Sequence, residues 1–533
     1  MLKSSIPFKE TNYFSNIICD YLEVDPNLQK FFNRFPTLEN FKFQLEEKQQ
    51  HFSSEKREIL VNRLKHQYQT VEASILTKNN IDLLADSNTF TVVTGHQLSL
   101  FTGPLYYWYK IISVINLSQK LSEEYPSYNF VPVYWMATED HDFAEINHFR
   151  FEGKLIQWNR DSSGAVGHLP LDGLKEVAEV FSAHFNGNNN SKKLKELFEK
   201  SYIEHSNLTE ATRYLVNELF GEHGLVIVDG DDKGLKKLFV PNLINEIETG
   251  FSEKYVNNTN RKLEEVSQEY KIQVNPREIN LFYVRENYRD RIVQIENKFS
   301  AIDSDWSWTE KELKSEMEEY PERFSPNVIL RPLYQEVILP NLCYIGGGGE
   351  LAYWLQLKEM FESQQVPFPV LLLRNSALLI TEKQSSKLQK LDIKLNELFL
   401  PQSEFKTLLA KKYSKIDIDF SQQKNYLKSQ FKTLYDLAEQ TDKSFIGAVA
   451  AQEKKQLNGL DHLEKRLLKA QKRKLADKLD KAMDLKNQLF PNGSLQERVS
   501  NFSEFYQEYG HDFKNQLLEN LDPLHQEFLI IEF

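Results

Sequence analysis

The sequence predicts an α/β protein in which a parallel sheet core with insertions is followed by a C-terminal α-helical coiled coil. The first observation is a series of short, continuous apolar runs that alternate with helical segments between residues 89 and 380. Strands buried on both faces and separated by helices are typical of a parallel sheet covered by helices. The second observation is a stretch from 381 to 490 in which apolar residues recur at three- and four-residue spacing, as in a coiled coil.

The composition is that of an ordinary globular chain and limits its partners. Of 533 residues, 41% are hydrophobic and 27% are charged, and the formal net charge is −12. This acidic excess argues against nucleic acid as a partner, since nucleic-acid-binding proteins usually carry a basic face. Residues 1–7 lack an apolar signal core, and no apolar run reaches the roughly 20 residues that span a bilayer. The two cysteines, Cys19 and Cys343, suit a reducing compartment, so we expect a cytoplasmic protein without a membrane partner.

The N-terminal part, residues 1–88, is predicted to be mostly helical. Its apolar residues recur at helical spacing, for example Ile59, Leu60 and Leu64, with charged residues between them. No group of residues there suggests chemistry. We therefore expect a helical segment packed on the core.

Candidate strands follow between residues 89 and 380. They are residues 90–93, 130–137, 225–228, 279–284, 327–330, 342–345 and 368–373. Two longer stretches, residues 151–220 and 285–325, interrupt this rhythm. We interpret both as insertions into one core domain that spans residues 89–380.

The coiled-coil pattern predicts an early helix, a turn and two long antiparallel helices within residues 381–490. Leu427, Phe431, Leu434 and Ala438 belong to its apolar seam. Such a seam needs a partner surface, for which a second copy in a homodimer is the simplest source; an intramolecular hairpin packed on its own core is the alternative.

Residues 490–493, Phe-Pro-Asn-Gly, end the helix, and the apolar C-terminus predicts that residues 491–533 return to the core.

Polar and glycine residues cluster just beyond the predicted strand ends, where ligands bind in parallel sheets. The first cluster comprises Gly95, His96 and Gln97, followed by Thr102 and Gly103. Glycines in a strand-to-helix turn allow a phosphate or carboxylate to approach the backbone, and Thr102 is a candidate helix cap. His96 is a candidate to donate a hydrogen bond to a phosphate or to act as an acid–base catalyst. The alternative is that these glycines only make tight turns.

The second cluster is Glu139, Asp140, His141 and Asp142. Three carboxylates this close together are electrostatically unfavourable without a ligand, because like charges repel. Three interpretations remain open: a general base for an amine, a magnesium site through Asp140 and Asp142, and an N-cap cluster for the next helix. We assign His96, Asp140, His141 and Asp142 as the catalytic candidates and Glu139 as a binding residue.

The third and fourth clusters supply further binding candidates. Asn327 begins the fifth candidate strand, Arg331 and Gln335 follow it, and Arg331 at its end is suited to bind a carboxylate or phosphate. A salt bridge from Arg331 to Glu336 or to the acidic cluster is the alternative. The sixth candidate strand runs into four glycines and Glu350. There Gly347 and Gly348 allow close approach of a ligand, and Glu350 can bind an amine or a ribose hydroxyl, or cap the next helix.

These segments together resemble the bacillithiol biosynthesis cysteine-adding enzyme family. The similarity includes Thr94-Gly95-His96-Gln97 with the residues to 106, and it extends through residues 135–145, 325–335, 346–350 and 489–498. It covers essentially the whole chain in the same order. The resemblance implies a Rossmann-like core akin to class I aminoacyl-tRNA synthetases, with connecting insertions and a C-terminal coiled coil used in dimerisation.

The resemblance also implies the reaction, in which the carboxylate of cysteine is joined to the amine of glucosaminyl malate to give a low-molecular-weight thiol. Activation by ATP is expected, with ATP or ADP as bound nucleotide and magnesium as a further candidate. The nucleotide or an acidic substrate is expected across the Gly95–Thr102 turn and the glycine run, with Arg331 and His96 offsetting its charge. Two alternatives are a nucleotidyltransferase on the same fold and a non-catalytic dimeric scaffold.

Overall fold

The structure is a computed structural model that describes residues 3–441 and 443–533; Met1 and Leu2 of the predicted N-terminal segment lie outside this range. The strands in chain order are β1 (Lys3–Ile6), β2 (Thr89–His96), β3 (Asn129–Met136), β4 (His148–Phe151), β5 (Lys154–Gln157), β6 (Val226–Asp229), β7 (Leu281–Arg285), β8 (Tyr288–Ile295), β9 (Lys298–Ala301), β10 (Ser307–Trp308), β11 (Phe324–Pro326), β12 (Asn341–Gly346), β13 (Val370–Leu373), β14 (Ala377–Ile380) and β15 (Phe528–Glu532).

The helices connect and cover these strands. In chain order they are α1 (Phe8–Thr11), α2 (Asn16–Leu22), α3 (Leu38–His51), α4 (Ser54–Gln67), α5 (Ile75–Leu83), α6 (Tyr106–Glu124), α7 (Phe143–Ile146), α8 (Leu174–Ser182), α9 (Asn189–Ile203), α10 (Leu208–Phe220), α11 (Lys233–Lys237), α12 (Val240–Thr249), α13 (Phe251–Val266), α14 (Glu310–Glu319), α15 (Leu330–Ile338), α16 (Gly348–Trp354), α17 (Lys358–Ser363), α18 (Glu382–Lys390), α19 (Gln402–Tyr413), α20 (Ser421–Ala438), α21 (Lys443–Lys474), α22 (Ala476–Leu489), α23 (Phe502–Tyr509) and α24 (His511–Asn520).

The central sheet is five-stranded and parallel, in the order β13-β12-β2-β3-β6. Its strands are buried, as their continuous apolar runs predicted. Counted within the sheet, the chain order is 5-4-1-2-3, the Rossmann-like arrangement in which the direction of strand addition reverses beside the first strand. The predicted α/β fold with a Rossmann-like parallel core is confirmed. The reversal places the switch point, where ligands bind in such sheets, between the carboxyl ends of β2 and β12.

Two candidate strands lie outside this sheet. Residues 279–284 contribute β7, but β7 belongs to an antiparallel sheet of order β10-β9-β8-β7-β11. The predicted strand at residues 327–330 is wrong. The Asn327 side chain accepts hydrogen bonds from the backbone N–H groups of Ile329 and Leu330, and α15 begins at Leu330. This local turn outweighs the β-branched run, so Arg331 lies in the first turn of a helix rather than at a strand end.

The two long connections of the core fold back towards the carboxyl edge of the parallel sheet. The connection from β3 to β6 contains the β4-β5 hairpin and α7–α10. Its loop is fixed to the end of β3, because Val166 N–H donates to the Asp140 carbonyl (2.7 Å) and Gly167 N–H donates to the Thr138 carbonyl (3.0 Å). The connection from β6 to β12 contains the antiparallel sheet.

The C-terminal region contains a helical hairpin and a segment that returns to the core. Helices α20 and α21 pair antiparallel, with Lys424 bonded to Glu464 and Tyr435 to Glu453. The apolar C-terminal end forms β15, which lies between β1 and β14 in a three-stranded sheet. Among the described residues, no helix combines the length and apolarity needed to cross a bilayer.

Candidate active site

Three adjoining cavities line the carboxyl edge of the parallel sheet. The central cavity, of about 340 Å³, lies at the switch point between the ends of β2 and β12. The arginine cavity, of about 440 Å³, lies between the end of β3 and the antiparallel sheet. The tail cavity, of about 390 Å³, lies between the turn after β2 and residues 492–499. The central cavity shares Trp135, Ala137 and Arg331 with the arginine cavity, and Gln97, Tyr106 and Glu145 with the tail cavity.

A partly buried ion pair between Lys110 and Glu350 forms one wall of the central cavity. The Lys110 ammonium on α6 lies 2.6 Å from a Glu350 carboxylate oxygen and donates to the Gly95 carbonyl (2.8 Å). Glu350 also accepts from the Tyr344 hydroxyl and from Gly347 N–H. Although burial opposes it, Lys110 holds the pKa of Glu350 at about 2. Glu350 therefore caps α16 and neutralises Lys110, which leaves little capacity for the predicted contact with an amine or a ribose.

His96 ends β2 and faces the central cavity. Its side chain is buried, and its Nε2 atom has no hydrogen-bond partner among the described residues. Burial, together with the positive charges of Lys110 and Arg374, lowers the pKa of His96 to about 3. The imidazole is therefore neutral at physiological pH. It can exchange a hydrogen bond with a ligand, and so low a pKa disfavours the expectation that a charged His96 offsets negative charge.

Gly95 keeps the central cavity open. A Cβ atom at this position would lie 3.6 Å from the Tyr344 hydroxyl and 3.7 Å from an Arg331 nitrogen, and so would occupy the space between them. The next residue but one, Gln97, donates to both Asp140 (2.8 Å) and Glu145 (2.9 Å). One amide thus holds two carboxylates at the border of the three cavities. Glu145 was not among the sequence candidates.

Arg331 reaches both the central and the arginine cavity. Its guanidinium donates to the Gln335 side chain (3.0 Å), so Gln335 is buried behind Arg331 and orients it. Within the described chain, no carboxylate lies within 4.0 Å of Arg331. Glu336 instead pairs with Lys48 at 3.0 Å, so the alternative salt bridge to Arg331 does not form. The guanidinium is available to an anionic ligand.

The arginine cavity takes its name from Arg277, Arg289, Arg291 and Arg331. Arg289 and Arg291 lie two residues apart on β8 and therefore share one face of the strand. Arg289 stacks on the Phe282 ring at 3.9 Å, with one nitrogen 2.6 Å from His141 Nδ1. The sequence reasoning missed Arg277, Arg289 and Arg291. The alternating arginines in a polar strand were the signal that could have indicated them.

The acidic cluster after β3 is divided by the structure. Glu139 is partly buried and forms an ion pair with Lys236 at 2.6 Å, and Lys236 also pairs with Asp231. Asp140 lines the arginine cavity, with one carboxylate oxygen bonded to backbone N–H groups and the other to Gln97. Asp142 is exposed and lines none of the three cavities. His141 is about half exposed and lines the arginine cavity.

The magnesium candidate does not fit these side chains. Both oxygens of Asp140 are already hydrogen-bonded, and Asp142 lies outside the cavity that Asp140 lines. In the part of the chain that the structure describes, no group of three or more His, Cys, Asp or Glu side chains is arranged to hold a metal.

The remaining candidates lie beside the cavities rather than within them, except Asn327, which lines the arginine cavity. Thr102 does not cap a helix; its hydroxyl accepts from Trp108, and α6 begins only at Tyr106. Gly103 has a φ of +62°, and a Cβ there would lie 2.8 Å from Ser99 Cβ, so this glycine shapes the turn. Gly347 binds Glu350, and Gly348 packs near Ile18.

The sheet order and the cavities at its switch point define a Rossmann-like protein that binds small molecules at the carboxyl edge of its sheet. Residues 1–375 match the N-terminal Rossmann-like domain of bacillithiol biosynthesis BshC, and residues 377–533 match the C-terminal coiled-coil domain of the same family. The chain therefore belongs to the BshC family of bacillithiol biosynthesis.

Relatives named "Putative cysteine ligase BshC" align along nearly the full length. The protein from Christiangramia forsetii is 55% identical, with 100% of this chain and 99% of the relative covered. The protein from Cytophaga hutchinsonii is 36% identical (97% and 96% covered), and that from Bacillus anthracis is 29% identical (94% and 95%). A crystal structure named "putative arginyl t-RNA synthetase" from Campylobacter jejuni matches with a TM-score of 0.21 at 10% identity, covering 85% of this chain and 99% of that one.

Proposed function

We propose that this protein is an ATP-dependent ligase that joins the carboxylate of cysteine to the amine of glucosaminyl malate. The observation that supports this most directly is a cavity of about 440 Å³, lined by four arginines, that opens onto the switch point of the sheet. The names of the relatives supply cysteine and the ligase chemistry. The four arginines of the cavity favour a strongly anionic co-substrate, bound next to the site where the ligase reaction would occur.

The malate group is the part of the co-substrate that the arginine cavity suits. Malate carries two carboxylates, and a guanidinium binds a carboxylate through two parallel hydrogen bonds. Arg277 and Arg291 have side chains without a hydrogen bond or ion pair to any described residue, and Arg331 lacks a carboxylate partner. Binding the malate there directs the glucosamine amine towards the central cavity that Arg331 borders.

The reaction requires activation, because a carboxylate and an amine do not condense in water. A carboxylate oxygen of cysteine bonds to a phosphorus atom of ATP while a phosphoanhydride P–O bond breaks. The amine nitrogen then bonds to the acyl carbon, the acyl C–O bond breaks, and the nitrogen gives up one proton. We assign the acceptance of this proton to Asp140, which lines the arginine cavity and is oriented by Gln97. His96 contributes a neutral hydrogen bond through Nε2.

The helical hairpin supports the proposal of a homodimer. Phe431 and Ala438 are buried inside the hairpin, whereas Leu434, Leu437 and Phe445 are 41%, 53% and 47% exposed. A row of exposed apolar side chains on a long helical pair is suited to packing against another copy.

The two buried free cysteines suit a cytoplasmic enzyme, since a reducing compartment keeps thiols unpaired.

The test is the stoichiometry of the purified protein with ATP, cysteine and glucosaminyl malate. We expect ATP consumption that requires both other substrates, with one amide product per ATP identified by mass spectrometry. Pyrophosphate release without an amide would instead identify a nucleotidyltransferase. Absence of any nucleotide turnover or ligand binding would favour a scaffold.

A further inference from the structure

The segment after the helical hairpin is held rigidly against the core on both sides of Arg498. Before it, Gln496 bonds to both the N–H and the carbonyl of Leu379, and Glu497 forms a buried ion pair with Arg374 at 2.7 Å. After it, Asn501 donates to the Phe101 and Gly103 carbonyls in the turn that follows β2. These anchors fix the backbone of Arg498 beside the turn that follows His96.

Arg498 itself is left without a protein partner. Its side chain is exposed, lines the tail cavity, and makes no hydrogen bond or ion pair with any residue that the structure describes. The second arginine of the cavity, Arg150, makes only a weak bond of 3.4 Å to the Gly153 carbonyl. Two guanidinium groups are therefore directed at the same space with most of their donors unused.

The remaining ionisable groups of the tail cavity leave a net positive charge. Burial and the neighbouring Arg150 lower the pKa of His148, so its imidazole is neutral at physiological pH. Glu145 is held by Gln97 at the border with the central cavity. The two arginines thus outnumber the single carboxylate, and the cavity favours an anion.

The order of the cavities indicates which anion binds there. The arginine and tail cavities share no lining residue, and each adjoins the central cavity from its own side. In amide formation the incoming amine and the departing phosphoryl group occupy different positions around the acyl carbon. If the amine-bearing substrate fills the arginine cavity, the tail cavity is the remaining cation-lined place for a phosphoryl group.

We propose that Arg498 and Arg150 bind the phosphate groups of the nucleotide co-substrate in the tail cavity. The inference rests on the proposed ligase function and deepens it, because it assigns the nucleotide to a site built by both parts of the chain. Phosphate oxygens match the planar donor fork of arginine. The region that carries the hairpin then contributes directly to the reaction through the segment that returns from it.

The experiment compares Arg498→Gln and Arg150→Gln with Arg466→Gln, an exposed arginine on α21 outside the three cavities. Binding of ATP to each full-length variant is measured by calorimetry, and KM is measured separately for ATP, cysteine and glucosaminyl malate. Loss of a charge-assisted contact to phosphate should raise the Kd and the KM for ATP roughly 10- to 100-fold. The KM values of the other substrates, and all constants of Arg466→Gln, should stay within about twofold of the wild-type values.

Three outcomes separate the inference from the function it rests on. An unchanged KM for ATP in both variants, with a wild-type enzyme that consumes ATP, overturns the tail-cavity site and leaves the ligase function intact. A rise confined to glucosaminyl malate also overturns it, because the cavity then binds the carboxylates. A wild-type protein that neither binds nor consumes ATP overturns the ligase function itself. Unfolding midpoints of the variants identify any loss that is due to misfolding.

Discussion

The central and arginine cavities adjoin, but they differ in whether their cationic side chains are paired with carboxylates of the protein. In the central cavity Lys110 is paired with Glu350, and the neighbouring Arg374 is paired with Glu497. In the arginine cavity Arg277 and Arg291, which do not line the central cavity, have no carboxylate partner among the described residues. Buried charges that are paired within the protein fix the shape of a site, whereas partly exposed cations without partners remain available to a ligand. The two cavities should therefore respond differently to loss of a cation.

The largest expected effect on stability comes from the paired cation. Lys110→Met leaves the Glu350 carboxylate without its cation while keeping an apolar stem of similar length. Breaking a buried ion pair from one side typically lowers the free energy of unfolding by about 3–5 kcal/mol, and because 28% of the Glu350 side chain is exposed we expect the lower end of that range. Denaturation by urea, followed by circular dichroism, measures the change. The double variant Lys110→Met/Glu350→Gln should regain part of the loss, and a single-variant change below about 1 kcal/mol would show that Glu350 is well solvated.

Loss of the unpaired cation Arg291 should affect substrate binding rather than stability. Arg291→Met should raise the KM for glucosaminyl malate roughly 10- to 100-fold, because one charge-assisted contact to a carboxylate is lost. The free energy of unfolding should change by less than about 0.5 kcal/mol, since no partner within the protein is lost. Steady-state kinetics and urea denaturation check the two parts. The comparison fails if Arg291→Met unfolds the protein as readily as Lys110→Met does, or if KM is unchanged.

This contrast also explains how much could be predicted from the sequence. The buried strands β2, β3, β6, β12 and β13 were found from local apolar runs, and chain order with the rules of parallel sheets then placed Gly95, His96 and Glu350 at one edge. The arginines of β8 were missed because they lie in a stretch interpreted as an insertion. Their role depends on how the antiparallel sheet packs over the parallel one, which no local pattern encodes. The partners of Glu139 and Glu350, Lys236 and Lys110, are likewise set by tertiary packing.

A smaller effect is expected from the neutral histidine of the central cavity. Its pKa of about 3 lies below the ordinary value of 6.5, so the unfolded chain binds a proton that the folded chain does not. Stability from this group is therefore present above pH 6.5 and is lost as the pH falls from 6.5 towards 3. The loss should reach at most about 1.4 kcal/mol per pH unit. Urea denaturation between pH 7 and 4 should show a shallower slope for His96→Asn than for the wild type. Equal slopes would mean that folding does not lower the pKa of His96.

The helical hairpin offers a similar comparison for apolar side chains, because some are buried within the hairpin and others are exposed. Phe431 is buried between α20 and α21, whereas Leu434 and Leu437 on the same helix are exposed. If the proposed homodimer forms through this row, Leu434→Lys/Leu437→Lys should convert it to monomers, because two apolar side chains per subunit would be replaced by charges at the proposed interface. The unfolding of each chain should change little, unlike that of Phe431→Ala, which creates a cavity within the hairpin. Sedimentation equilibrium measures the assembly, and a wild-type protein that is monomeric at micromolar concentration would leave this seam without a partner copy.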